Sequence, residues 1–268
     1  MFGFMIKKSF CDGWDNLVSL VITNVIYLFA GLGLFYVFSL LARFENPLYL
    51  IAFAVLACMI LSILFFAYGE TAADIANFNG VKLLDFFKAI PSSIKDGALF
   101  GLLCSGIAIL SYISITYYWS EAFLQKSALV GVFLGALILW IDVFVILSLQ
   151  WFVAIRSLMK NPFKKCLKKC FIIFFDNTGF CVAMGLYTLV LIAISVLCIG
   201  FMPSIAGILI AQTNALRLRL YKYDYLEEHP ELETKHERKM IPWEELIFDD
   251  KEALGPRTWR NFLFPWKE

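Results

Sequence analysis

The chain has 268 residues, of which 60% are hydrophobic and 17% aromatic, against roughly 45–50% apolar residues in a soluble domain. A soluble fold of that length cannot bury so much apolar surface, and a net charge of +1 from 23 basic and 22 acidic residues excludes the broad basic field of a nucleic-acid-binding protein. Seven cysteines, an odd number with no Cys-x-x-Cys pair, exclude a disulfide framework or a structural zinc site as the organising device.

In chain order, an amphipathic segment carrying Lys7 and Lys8 leads to Trp14-Asp15-Asn16 and then to a long apolar stretch with no Ala-x-Ala cleavage site behind it, so it reads as a retained helix and not a leader. Six stretches approach the roughly 20 residues needed to cross the hydrocarbon layer: about 17–42, 47–69, 97–118, 128–154, 178–199 and 201–218. The sixth is the weakest, because Pro203 opens it and Gln212 and Asn214 fall near its end. Proline is tolerated at a helix start, where its missing N–H would have no intrahelical partner. The expected architecture is all-α: a polytopic membrane protein with a six-helix transmembrane domain over 1–220 and a C-terminal tail over 221–268.

Lysine and arginine in short loops are retained on the cytoplasmic side. With six spans and both ends inside, 21 of the 23 basic residues fall on that side, and only Arg43 and Lys126 fall outside. The strongest determinant is the loop before the fifth span, with Arg156, Lys160, Lys164, Lys165, Lys168 and Lys169. The expected location is therefore the inner membrane of a bacterium, with both termini cytoplasmic and the lipid bilayer as the main partner.

The segments before the odd-numbered spans resemble one another. Lys7-Lys8-Ser9-Phe10 runs to Trp14-Asp15-Asn16, and Lys168-Lys169-Cys170-Phe171 runs to Phe175-Asp176-Asn177 with the same spacing; a degenerate middle copy keeps Lys88 and Asp96. Each copy predicts a helix lying in the cytoplasmic interface, with Asp15, Asp96 or Asp176 capping the span that follows. Three units of interfacial helix, span, turn and span then make up the chain, in parallel pseudo-symmetry. The alternative is that lysines and caps recur wherever a chain turns into a membrane.

Trp14-Asp15-Asn16-Leu17 leading to Asn24-Val25-Ile26, Asp85-Phe86-Phe87, and Asn161-Pro162-Phe163-Lys164 resemble the YesL-like family of small bacterial membrane proteins over roughly residues 5–220. The resemblance implies an accessory role near carbohydrate uptake and no catalytic chemistry. The aromatic end of the tail resembles an extension found in spirochaete membrane proteins.

Candidate chemistry is sparse. His229 and His236 lie apart among glutamates, there is no metal-ligand spacing, and neither a triad, a nucleophile elbow nor a phosphate loop occurs; no enzyme activity and no cofactor is expected. Cys166 and Cys170, one helical turn apart among lysines, suggest lowered thiol pKa values, or else small side chains filling an apolar face. The second loop, with Gly80 at a turn and Phe87 and Ile90 behind it, has spacings similar to an ATPase-docking loop of importer permeases, although Pro91 falls too early for that pattern. Trp259, Phe264 and Trp266 either fold back on the cytoplasmic face or dock a partner.

Asp142, inside the fourth span, is the one charge expected deep in the apolar layer, with Asn24, Thr23 and Ser62 as candidate partners. The functional expectation is an accessory or assembly partner of a transport system, its partners a transporter subunit or ATPase and no nucleic acid. The alternative is a secondary transporter or channel in which Asp142 couples to a proton or ion.

Overall fold

In an apolar layer every backbone N–H and C=O has to be satisfied within the segment, so apolar stretches of this length fold as helices. A computed structural model describes residues 1–44, 46–231 and 241–257, and among these residues the regular structure is helical without strands. The helices are α1 (Phe2–Asp15), α2 (Leu17–Leu41), α3 (Pro47–Ala76), α4 (Leu83–Tyr118), α5 (Glu121–Leu149), α6 (Phe152–Met159), α7 (Phe163–Asp176), α8 (Thr178–Leu197), α9 (Ser204–Glu228), α10 (Trp243–Leu246) and α11 (Phe248–Leu254). Among the described residues, five segments are long and apolar enough to cross a membrane: Leu17–Phe44, Pro47–Ala76, Leu83–Tyr118, Glu121–Met159 and Thr178–Leu197.

The expected sixth span corresponds to α9, which is not among those five. It starts at Ser204 and continues to Glu228, past the expected end at 218 and through the expected domain boundary after residue 220. Its second half carries Arg217, Arg219 and Lys222 and is only partly buried beyond Leu218, whereas neighbouring helices bury the part before it. Ala206, Ile210, Ala211, Asn214, Ala215, Leu216 and Leu218 are all essentially inaccessible.

The core forms where α3, α6 and α9 pack on one another. Phe66 of α3, Phe100 of α4 and Phe152 of α6 meet with ring centroids 4.8–5.8 Å apart, and Trp151 stacks on Phe180 at 5.8 Å. Around this centre, α2 packs on α3, α4 on α5 and α8 on α9, while α1 lies on α9, α4 on α3, and α7 on α5 and α6. Each pair of helices is thus joined to the second helix of another pair.

α1 and α7 are both 14 residues long. Each stops at one non-helical asparagine, Asn16 or Asn177, with the next helix starting at the following residue. Both asparagines donate through Nδ2 to the carbonyl four residues back, Asp12 at 2.9 Å and Ile173 at 3.4 Å. The middle copy differs, because the segment around Lys88 is continuous with its span: α4 runs unbroken through Pro91 to Tyr118.

In α5, Ser127 has non-helical backbone angles, so Glu121–Lys126 forms a separate short segment before the long apolar run. The register between α4 and α5 is displaced accordingly: Gly131 lies against the carbonyl of Tyr118 and Gly135 against the Trp119 indole.

α3 and α4 approach one another closely at two glycines. A Cβ on Gly97 would stand 2.6 Å from the Cα of Ile63, and one on Gly101 2.5 Å from the Cα of Met59. Small residues four apart let backbones approach this closely, which replaces the hydrophobic driving force that lipid cannot supply. Because the obstacle is backbone, no side-chain adjustment relieves it. Gly101→Val is expected to lower stability by ~1–3 kcal/mol, read as a lower midpoint of thermal unfolding in detergent, whereas the same change at Gly106, with open space around it, is expected to have little effect.

Candidate functional site

The charged residues gather mainly at one end of the bundle, and several of them form ion pairs. Lys8 of α1 is 1% exposed and donates to Asp12 at 2.9 Å, with its ammonium 3.9 Å from the centre of the Phe78 ring. Asn214 of α9 donates to the same carboxylate at 2.7 Å. Burial pushes the Lys8 ammonium down and the Asp12 carboxyl up from their ordinary values, and each charge opposes the shift in the other. Nearby, Arg217 of α9 pairs with Asp250 of α11 at 2.7 Å, and Tyr221 donates to that carboxylate at 3.2 Å.

The three aspartates of the repeat are in this belt but are not caps. Asp15 and Asp176 are the last residues of α1 and α7, and Asp96 lies inside α4. No side-chain cap forms at the start of α2 or α8. Asp96 instead binds Arg156 of α6, which also reaches Glu70 of α3 at 3.6 Å. Asp176 accepts from Tyr223 at 2.8 Å and Lys222 at 3.0 Å. Although burial works the other way, these donors hold its carboxyl below the ordinary value. Asp15 pairs with Arg257. The physical reason is that a cation within reach satisfies a carboxylate more strongly than backbone N–H groups do, because the hydrogen bond is charge-assisted on both sides.

Deeper in the spans, Asp142 of α5 is partly exposed and accepts from Ser111 of α4 at 2.6 Å. Ser111 lies 15 residues along α4 from Asp96, roughly 22 Å by helical rise. The expected partners Asn24, Thr23 and Ser62 are therefore wrong, because the displaced α4–α5 register brings Ser111 opposite the carboxylate. Asn24 is fully occupied elsewhere. Its Nδ2 donates to the carbonyls of Phe201 at 2.9 Å and Pro203 at 3.0 Å, and its Oδ1 accepts from the N–H of Ala206 at 3.0 Å.

Cys166 and Cys170 are fully buried, and burial raises both thiols despite the neighbouring lysines. They fill the apolar face of α7, and the Cys166 thiol donates to the carbonyl of Asn161 at 3.3 Å. In the second loop the left-handed residue is Phe78, φ 58°, and not Gly80. Phe78 is held there by the cations of Lys8 and Arg217 over its ring. Gly80 and Phe87 remain exposed, Ile90 packs partly on the core, and Phe86 is buried within it.

The tail folds back as far as it is described: Ile247, Asp250 and Leu254 are buried against the bundle, and Gly255, φ 71°, ends α11. Trp259, Phe264, Trp266 and His236 lie outside the described residues. His229 stacks on Tyr225 with ring centroids 4.2 Å apart. Among the described residues, no three His, Cys, Asp or Glu side chains gather as metal ligands. A crevice of about 230 Å³ between α1, α8 and α9 is walled mainly by apolar side chains such as Leu20, Leu191 and Met202.

The arrangement ties elements together more than it offers a reactive group. Sequence reasoning did not find Lys8, Asp12, Asn214, Arg217 and Asp250, although a lysine and an aspartate one turn apart in an otherwise apolar helix face was a readable signal. Comparison with protein families, curated proteins and solved structures gives no match to this chain.

Removing one member of a buried ion pair leaves the other charge uncompensated, at a cost of ~3–5 kcal/mol. Lys8→Ala is expected to destabilise the detergent-solubilised protein by that order. Lys8→Met combined with Asp12→Asn is expected to recover most of the loss, because it removes both charges and keeps a partner for Asn214; thermal unfolding monitored by circular dichroism separates the two variants.

Proposed function

We propose that the protein is a component of the bacterial inner membrane that serves as an accessory or assembly partner of a transport system. The observation that carries this reading is Asp142. A carboxylate at that depth costs at least ~2.5–3.5 kcal/mol on the lenient insertion scale when it meets lipid. Here one hydroxyl, from Ser111, is its partner and the group is still partly exposed on the flank of the α4–α5 pair. A helix of another membrane protein against that flank would cover it. The exposed side chains around it, Trp140, Ile141 and Val143, are those of a surface that accepts either lipid or such a helix. No enzymatic step is assigned. The resemblance to the YesL-like family points the same way, toward carbohydrate uptake.

The topology we propose places both termini and the charged end of the bundle in the cytoplasm, with three helical pairs, α2–α3, α4–α5 and α8–α9, descending from a repeated unit. The support is the bias of lysine and arginine, together with the matching geometry of α1 and α7 and the cyclic way in which the pairs pack. Reporter fusions after Phe44 and Phe123 are expected to report from outside, and fusions after Gly80, Lys165 and Lys239 from inside. An outside signal at Lys165 overturns the orientation.

The rival reading, a secondary transporter or channel with Asp142 as its coupling residue, rests on the same carboxylate and is separated by mutation. On affinity purification from the native membrane, a transport-system subunit is expected to accompany the wild-type protein. Asp142→Leu is expected to reduce its recovery about tenfold, equivalent to ~1.4 kcal/mol, while Asp142→Asn retains it. Transport lost in Asp142→Asn with association intact favours the rival; no transport subunit with the wild-type protein rejects the accessory role.

A further inference from the structure

The third helical pair is pinned at an unexpected level. Asn24, which holds the start of α9, is the eighth residue of α2, and 17 more residues of α2 run on to Leu41, roughly 25 Å by helical rise. One turn beyond it, Tyr27 donates to the carbonyl of Leu64 at 2.7 Å. From Leu64 back to the start of α3 at Pro47 is again 17 residues, another ~25 Å. Two neighbouring helices therefore agree that the turn between α8 and α9 stops far short of the turn between α2 and α3. A hydrocarbon layer is only about 30 Å thick.

The chemistry of that turn agrees with its depth. From Asn177 to Leu216 there is no charged residue, whereas the other far-end turns carry Arg43, or Glu121 and Lys126. Val196, Leu197 and Ile199 at the turn are 73–83% exposed. Its irregular backbone is satisfied from within the protein: the N–H of Gly200 donates to the carbonyl of Ser195 at 2.7 Å, that of Ser204 to the hydroxyl of Ser195 at 2.7 Å, and Asn24 serves Phe201, Pro203 and Ala206. A turn in water has no need of such partners, while non-helical backbone at membrane depth cannot do without them. Beside the turn, a recess of about 300 Å³ is walled by apolar residues such as Leu28, Leu32 and Ile205 alongside Asn24, Tyr27 and Ser204.

We infer that α8–α9 is a re-entrant hairpin whose apex, Val196 to Phe201, is a lipid-binding surface embedded among acyl chains inside the bilayer. The chain then crosses the membrane fully four times, and the third pair dips in and returns to the side it left. This inference rests on the proposed membrane reading but not on which side is cytoplasmic, since a hairpin that turns back leaves both termini on one side in either orientation.

Cys198, exposed at the apex, is a native probe. Membrane vesicles of both orientations, carrying the wild-type chain or Ala122→Cys at the start of α5, are treated with a charged, membrane-impermeant methanethiosulfonate. The labelled cysteines are then identified by peptide mass spectrometry. The expected result is that the thiol introduced at position 122 reacts from one side while Cys198 reacts from neither, and that Cys198 reacts after denaturation in dodecyl sulfate. Labelling of Cys198 from the side that labels the introduced thiol would show a complete sixth span, and labelling from the opposite side would show an apex in water; either overturns the inference. The side on which the introduced thiol reacts tests the orientation separately.

Discussion

Inside an apolar surrounding, a polar group has no water to fall back on, and the whole arrangement follows from meeting that demand with protein groups. Asn24 is the clearest instance. One side chain satisfies two carbonyls and one N–H at the start of α9, so the level at which α9 begins is fixed by a residue of α2. Further along, α9 presents Asn214 to the Asp12 carboxylate, Arg217 to Asp250, and Lys222 and Tyr223 to Asp176. Through these contacts a single helix fastens α1, α2, α7 and α11.

The same demand explains why α9 is the least apolar of the long helices and the most deeply buried. Its polar residues would be costly against lipid and face protein instead. Its neighbours α3 and α6 contribute Glu70 and Arg156 to the belt, and Asp96 of α4 joins that group. The packing places α3, α9 and α6, the helix that follows α5, at the centre of the bundle. The asparagines Asn16 and Asn177 end α1 and α7 in the same way, whereas α4 has no such break and rises in one piece.

How much of this was legible in the sequence depended on whether a feature was local. Hydropathy located α2, α3, α8 and the apolar portions of α4 and α5, because the length of an apolar run is a property of the run itself. The far end of α9 was not legible, since Arg217 and Arg219 read as residues beyond the membrane although the helix continues through them. The partners of Asp96 and Asp176 are cations 60 and 46 residues away in sequence, at separations that carry no pattern. The Asp142–Ser111 contact was hidden by Ser127, whose break inserts a short segment between the α4–α5 turn and the paired part of α5.

The division between paired and unpaired charge finally bears on what kind of protein this is. A transport path needs polar groups that a solute can reach, held ready by helices that move. In this chain Lys8 with Asp12, Arg156 with Asp96 and Arg217 with Asp250 are committed to one another, and Lys8 and Asp12 above all are sealed from solvent. Groups committed in that way set the geometry of the bundle and are poorly placed to exchange partners with a passing solute. Asp142 stands outside the belt, held by one hydroxyl on the flank of the bundle, where a neighbouring helix would reach it more readily than water. That asymmetry, a locked interior beside one incompletely satisfied carboxylate on the flank, is the basis of the assembly role proposed above.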